Sequence, residues 1–108
     1  MGDTWITDLR HFLDEGGALP VDLPSPAARL ARYFGSIVEA VTGPARTGAP
    51  LTGIRCRRRP GRKPCPGQII AFIDDENDFA IDWHCPICGD NGLLSGWQDT
   101  TWDLTPRA

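Results

Sequence analysis

The sequence predicts an α+β fold, with N-terminal helices packed on a three-stranded antiparallel sheet in the C-terminal part. Three observations carry this expectation. Apolar residues recur at spacings of three and four between residues 27 and 41. Two β-branched and aromatic runs, QIIAFI and FAIDWH, flank the polar stretch DDEND. Four cysteines sit among turn residues on either side of those runs. At 108 residues, 41% hydrophobic and 23% charged, the chain suits one small domain, or a small domain with an appendage. A chain of this size buries only about two thirds of its unfolded surface, so a covalent or metal staple would help it. Ten prolines and twelve glycines imply short elements and many turns.

The elements follow in order. Trp5, Ile6, Leu9, Phe12 and Leu13 form a helical stripe over residues 4–15, and Gly16-Gly17 would end it. The segment ALPVDLP, residues 18–24, is held extended by its prolines. A second helix then starts, with Ser25 as N-cap and Pro26 at the first helical position. Its stripe is Ala27, Leu30, Ala31, Phe34, Ile37, Val38 and Val41, and Gly43-Pro44 closes it. Such a stripe must be buried, against the first helix and the sheet or, alternatively, against a partner helix or a second copy. The Gly-, Pro- and Thr-rich run GPARTGAPLTG divides the chain into a helical segment, 1–45, and a sheet module with a C-terminal tail, 46–108. Within that module, residues 68–73 and 79–84 read as a hairpin. Phe79, Ile81 and Trp83 alternate toward its buried face. Residues 93–97, LLSGW, give a third strand, and Trp102 and Leu104 anchor the tail.

Several function classes are disfavoured. No run of 18 apolar residues spans a membrane. The start MGDTWITDLRHFLDE has no basic region followed by an apolar stretch. A soluble cytoplasmic protein is therefore expected, in a compartment where thiols stay reduced and clustered cysteines serve as metal ligands. No phosphate-binding loop, nucleophile elbow or HExxH helix occurs. His11 reads as a surface histidine at a helix edge, and no enzyme is expected.

The cysteines carry the strongest signal. Cys56 and Cys65 are separated by eight residues, and Cys85 and Cys88 by two, in the run WHCPICGDNG. Four soft thiolates at a tetrahedral centre suit Zn²⁺ and close the site to water. Proline fixes one backbone angle of the CPICG turn, and Gly89 can take the left-handed conformation that aims amides at sulfur. Three other readings stand beside this one. A redox pair wants its CxxC at a helix start, where this chain has GDNGLL. Two disulfides need an oxidising compartment. His84, next to Cys85, can replace one cysteine as ligand, although a strand would turn its side chain away.

The order of cysteine loop, strand, turn, strand, cysteine knuckle and strand over residues 53–98 resembles a zinc ribbon. That resemblance implies two ligand pairs at the tips of a three-stranded sheet, with Zn²⁺ on Cys56, Cys65, Cys85 and Cys88. The eight-residue gap departs from the usual two to four and makes the first knuckle an enlarged loop. The runs WITDLRHFL, CRRRPGRKPCPG, WHCPICGDNG and SGWQ are together similar to short bacterial proteins with a CxxC knuckle. This second likeness implies an intracellular bacterial protein and no particular activity.

The enlarged loop is basic. Residues 55–63 hold six of the eleven Lys and Arg side chains, while the net charge of the chain is −3. One reading is electrostatic: Zn²⁺ with four thiolates is a dianion, which nearby arginines offset, and the loop can also pair with DDEND. The other is nucleic-acid contact through Arg57, Arg58, Arg59, Arg62 and Lys63, with Trp83 and Trp97 as candidate stacking faces. The expected function is accordingly a structural-zinc module that binds DNA or RNA or acts as a regulator. The alternatives are a protein-interaction adaptor using the helix face or exposed tryptophans, and a redox-responsive metal switch.

Overall fold

A computed structural model describes residues 4–43 and 51–105. The boundary expected at 45/46 and the helix stop at Pro44 lie outside the described residues. Five strands, Thr4–Asp8 (β1), Leu51–Arg55 (β2), Gln68–Asp74 (β3), Ala80–His84 (β4) and Asn91–Ser95 (β5), form a single sheet in the order β1-β5-β4-β3-β2. The neighbours β2–β3, β3–β4 and β4–β5 pair antiparallel, and β1 runs parallel to β5. One helix, Ser25–Thr42 (α1), packs on one face. The class is α+β as expected, but the expected helical pair is one helix and the expected three-stranded antiparallel sheet is five-stranded and mixed.

The N-terminal segment departs most from expectation. Residues 4–8 pair in register with 91–95 as a strand. Ile6 is 81% exposed while Leu9 is wholly buried, so the burial alternates and does not follow a helical stripe. Aromatic and β-branched side chains at Trp5, Ile6 and Thr7 suit a pleated surface. Asp8 then ends the strand. Its carboxylate accepts the Arg10 amide at 3.0 Å and caps a single 3₁₀ turn, Leu9–Phe12. The stretch 18–24 is also not simply extended, since the Leu23 amide closes a turn on the Pro20 carbonyl at 3.3 Å.

α1 begins one residue earlier than expected, with Pro24 in the capping position and no side-chain cap. Its buried residues include Ala31, Phe34, Ile37, Val38 and Val41, as the stripe requires. They pack on the sheet face that carries Ile81 and Trp83, and the Phe34 and Trp83 rings lie 5.9 Å apart. Each fully buried side chain of this kind contributes about 1.5–3 kcal/mol. Trp102 also closes on the helix, beside Gly35, where a Cβ would strike the indole. Leu104, expected as a second anchor, is half-exposed and held by its amide, which donates to Thr42 Oγ1 at 2.9 Å.

Two further corrections concern strands. β2 lies partly inside the run read as a linker. Gly53 has φ +77° and the β2–β3 register is irregular, which hides the alternation of a strand. Phe79 does not belong to the buried face. It sits in the β3–β4 turn with φ +59° and is exposed, while its carbonyl accepts the Trp97 indole N–H at 2.8 Å. The third strand is also shifted, to Asn91–Ser95, and stops before Gly96 at φ +64°.

Candidate metal centre and the arginine loop

Strand direction alone brings the cysteines together. In an antiparallel array the end of β2, the start of β3, the end of β4 and the start of β5 share one edge of the sheet. The register confirms this edge, with Arg55 opposite Gln68 and His84 opposite Asn91. Cys56 follows β2, Cys65 precedes β3, Cys85 follows β4, and Cys88 lies in the turn before β5.

The four Sγ atoms lie within 4.8 Å of one another. Cys56 and Cys88 are 3.6 Å apart, as are Cys65 and Cys85. A tetrahedron of sulfurs with metal–sulfur bonds of about 2.3 Å has an edge of about 3.8 Å. A disulfide requires about 2.05 Å, and all four residues are free thiols. The close pairs join one half of the site to the other, so neither is the CxxC pair itself. No helix follows Cys88 either: Gly89 turns back at φ +81° and β5 begins. His84 is half-buried on β4 and is not among the clustered ligands.

Backbone contacts hold the sulfurs in place. The Cys56 amide donates to the Gly67 carbonyl and the Cys65 amide to the Arg58 carbonyl, both at 2.9 Å. In the second knuckle the Cys85 amide donates to the Asp90 carbonyl at 2.7 Å, and the Gly89 amide to the Cys85 carbonyl at 2.9 Å. The Gly67 amide points at Cys65 Sγ, 3.5 Å away. A Cβ on Gly67 would collide with Cys85 Sγ and lie 3.0 Å from Ile87 Cγ1, so only glycine fits there.

The electrostatics call for a cation. Burial pushes the Cys56 thiol up to about 12, and its neighbours Cys88 and Cys85 add to the rise against the Arg58 amide. At Cys65 the Gly67 amide favours the thiolate, but burial and the adjacent sulfurs raise the thiol overall. At Cys85 burial again raises the thiol, yet the amides of Cys88 and Ile87, together with the Cys65 and Cys88 thiols, hold it below its ordinary value. Four sulfurs this close do not ionise together unless a positive ion sits among them. The donor set and its spacing fit one soft or borderline divalent ion.

The basic loop is tied at both ends by Cys56 and Cys65. The Arg57 guanidinium lies over the Tyr33 ring, 5.8 Å from its centroid, and the Tyr33 hydroxyl donates to the Arg55 carbonyl at 3.1 Å. The loop closes on itself through a 3₁₀ turn, Pro60–Arg62, in which Arg59 Nη2 donates to the Arg62 carbonyl at 3.0 Å. Arg57, Arg59, Arg62 and Lys63 are exposed, and Arg58 is half-buried. The seven-residue strand β3 separates this loop from the acidic turn, a distance of about 20 Å at the rise of an extended chain. That spacing rules out direct pairing of the loop with DDEND.

Trp83 lies in the core, as its alternation with Ile81 suggests, and the stacking role considered for it and Trp97 is not met. Trp83 and Trp97 are 2% and 5% exposed in the core and offer no stacking face. Besides Tyr33, Trp5 stands beside the loop and lines an open cavity of about 390 Å³ with Arg57, Arg58 and Arg59. Its indole N–H donates to Asp90 Oδ1 at 3.0 Å. Trp5 escaped the sequence reading because it was placed on a helix, whereas TWIT carries the aromatic and β-branched signature of a strand. Among the described residues no helix is long and apolar enough to cross a membrane. No protein-family model, curated protein or solved structure matches the chain.

Proposed function

We propose that this is a zinc-ribbon-like protein in which Cys56, Cys65, Cys85 and Cys88 hold one structural Zn²⁺ and the arginine loop binds nucleic acid, as a cytoplasmic regulatory module. The observation that carries the reading is the cluster of four sulfurs, two of which, Cys56 and Cys65, close the ends of that loop. Zinc prefers thiolate ligands, and four of them leave no open position for a reactive water, so the role of the metal is structural. Zinc binding to such a site is worth about 10–16 kcal/mol in small domains, enough to order an element that cannot order itself.

The loop is longer than metal holding requires, and it presents Arg57, Arg58, Arg59, Arg62 and Lys63 together. Four of the five, Arg57, Arg59, Arg62 and Lys63, are exposed to solvent, where their charge can meet a polyanion. The test is fluorescence anisotropy with labelled DNA and RNA strands at 50 and 200 mM salt. Binding that weakens steeply with salt, and is lost when the five basic residues are changed to alanine, is expected. No binding at low salt to either strand type would end the nucleic-acid part of the reading.

A second reading, a protein adaptor, draws on the sheet face opposite α1. There Ile6, Leu93, Asp82 and Phe72 stand in one cross-strand row, with Ile6 and Phe72 exposed. It requires a partner whose binding survives neutralisation of the arginines and is lost on Ile6→Ser.

A further inference from the structure

We infer that the cavity between Trp5 and the arginine loop takes a single unstacked nucleotide, its base on the indole and its phosphate on Arg57, Arg58 and Arg59. This rests on the nucleic-acid reading above and sharpens it to single-stranded ligands. The cavity, about 390 Å³, lies at the small end of the range for ligand sites and is too small for a base pair with its backbones. Its lining combines one aromatic residue, Trp5, with three arginines. A guanidinium matches phosphate oxygens with two parallel N–H groups, and an indole stacks on a base whatever its identity. A base inside a duplex is already stacked on both sides, so a single strand, loop or frayed end is preferred.

Both walls are set by the metal centre. On one side the Trp5 N–H is engaged by Asp90, a carboxylate that is 2% exposed, so what the indole offers to the cavity is its apolar surface. The Asp90 carbonyl in turn receives the Cys85 amide, which ties this wall to the second knuckle. On the other side, Arg57 to Arg59 follow Cys56 directly, and the Arg58 carbonyl receives the Cys65 amide. Arg57 is further braced on Tyr33. Removing zinc releases both walls, so nucleotide binding depends on metal.

The test uses the zinc-loaded full chain, a fluorescein-labelled twelve-residue oligo(dT), and the same strand annealed to oligo(dA). The single strand is expected to bind at least tenfold tighter than the duplex. Trp5→Leu should weaken it by roughly fivefold or more and Trp5→Phe by much less, since only the former removes a stacking face. Treatment with a chelator should abolish binding. Equal affinity of Trp5→Leu and wild type at equal zinc content overturns the inference while leaving the arginine reading intact. If the wild type binds no strand at low salt, both fall. If the variants lose zinc, the unmodified protein decides. Trp83, Trp97 and Trp102 are all buried, so quenching of tryptophan emission by oligo(dT) reports Trp5. Unchanged emission at saturation overturns the inference.

Discussion

Gly67→Ala perturbs the metal centre without touching a ligand. The added methyl would collide with Cys85 Sγ and stand 3.0 and 3.2 Å from Ile87 Cγ1 and Cβ. Non-bonded heavy atoms settle at about 3.5–4.0 Å, so the sulfur or the Gly67 backbone must give way by on the order of 1 Å. Metal–sulfur bonds tolerate only about 0.2 Å, and Gly67 also supplies the amide that points at Cys65 Sγ. Loss of such supporting contacts weakens metal binding by about 10- to 100-fold. The assay is competition for Zn²⁺ with a chromogenic chelator, and circular dichroism at saturating zinc checks that the variant still folds. Gly16→Ala is the control, because a methyl there meets nothing closer than Asp14 Oδ1 at 3.4 Å. A Gly67→Ala protein that holds zinc as tightly as wild type would refute the reasoning.

Substitutions at three other positions probe the scaffold. Trp83→Ala should cost about 3–5 kcal/mol in denaturant unfolding, as for other large core residues. Trp83→Phe should cost less than about 1.5 kcal/mol, since the buried Trp83 N–H has no hydrogen-bond partner and its removal offsets part of the lost packing. Gly35→Ala should destabilise, against the usual preference for alanine in a helix, because the new methyl would enter the Trp102 ring; a raised melting temperature would contradict the packing described. Asp8 is bound by Arg10 at 2.6 Å, and that side-chain hydrogen bond lowers its carboxyl from 3.8 to about 2. Its contribution is therefore present above about pH 4 and is lost as pH falls toward 2. Arg10 reaches into solvent, which screens the pair, so Asp8→Asn should remove only about 0.2–1 kcal/mol and flatten the stability profile in that acid window.

How much of this was legible depended on whether the signal was local. The stripe from Ala31 to Val41 marks a helix without outside help, and QIIAFI and AIDWH mark strands by composition and alternation. The cysteines were legible because ligand spacing and turn residues such as Gly89 are written in the chain itself. β1 was not, because Trp5, Ile6, Leu9, Phe12 and Leu13 fit a helical stripe over so short a span. What decides for a strand is a parallel partner at Asn91–Ser95, near the other end of the sequence. β2 was hidden by the left-handed Gly53 and its irregular register. Misplacing β1 also concealed Trp5 as a neighbour of Arg57, since that proximity exists only once β1 pairs with β5 and Asp90 engages the indole.

The central claim is that one divalent ion, gripped by four thiolates, organises this end of the sheet. Native mass spectrometry of the purified chain, before and after a strong chelator, tests it most directly. The account predicts one zinc per chain, with its removal shifting the charge-state distribution to that of an expanded protein. A chain that carries no metal, stays compact, and is unchanged by the chelator would contradict it.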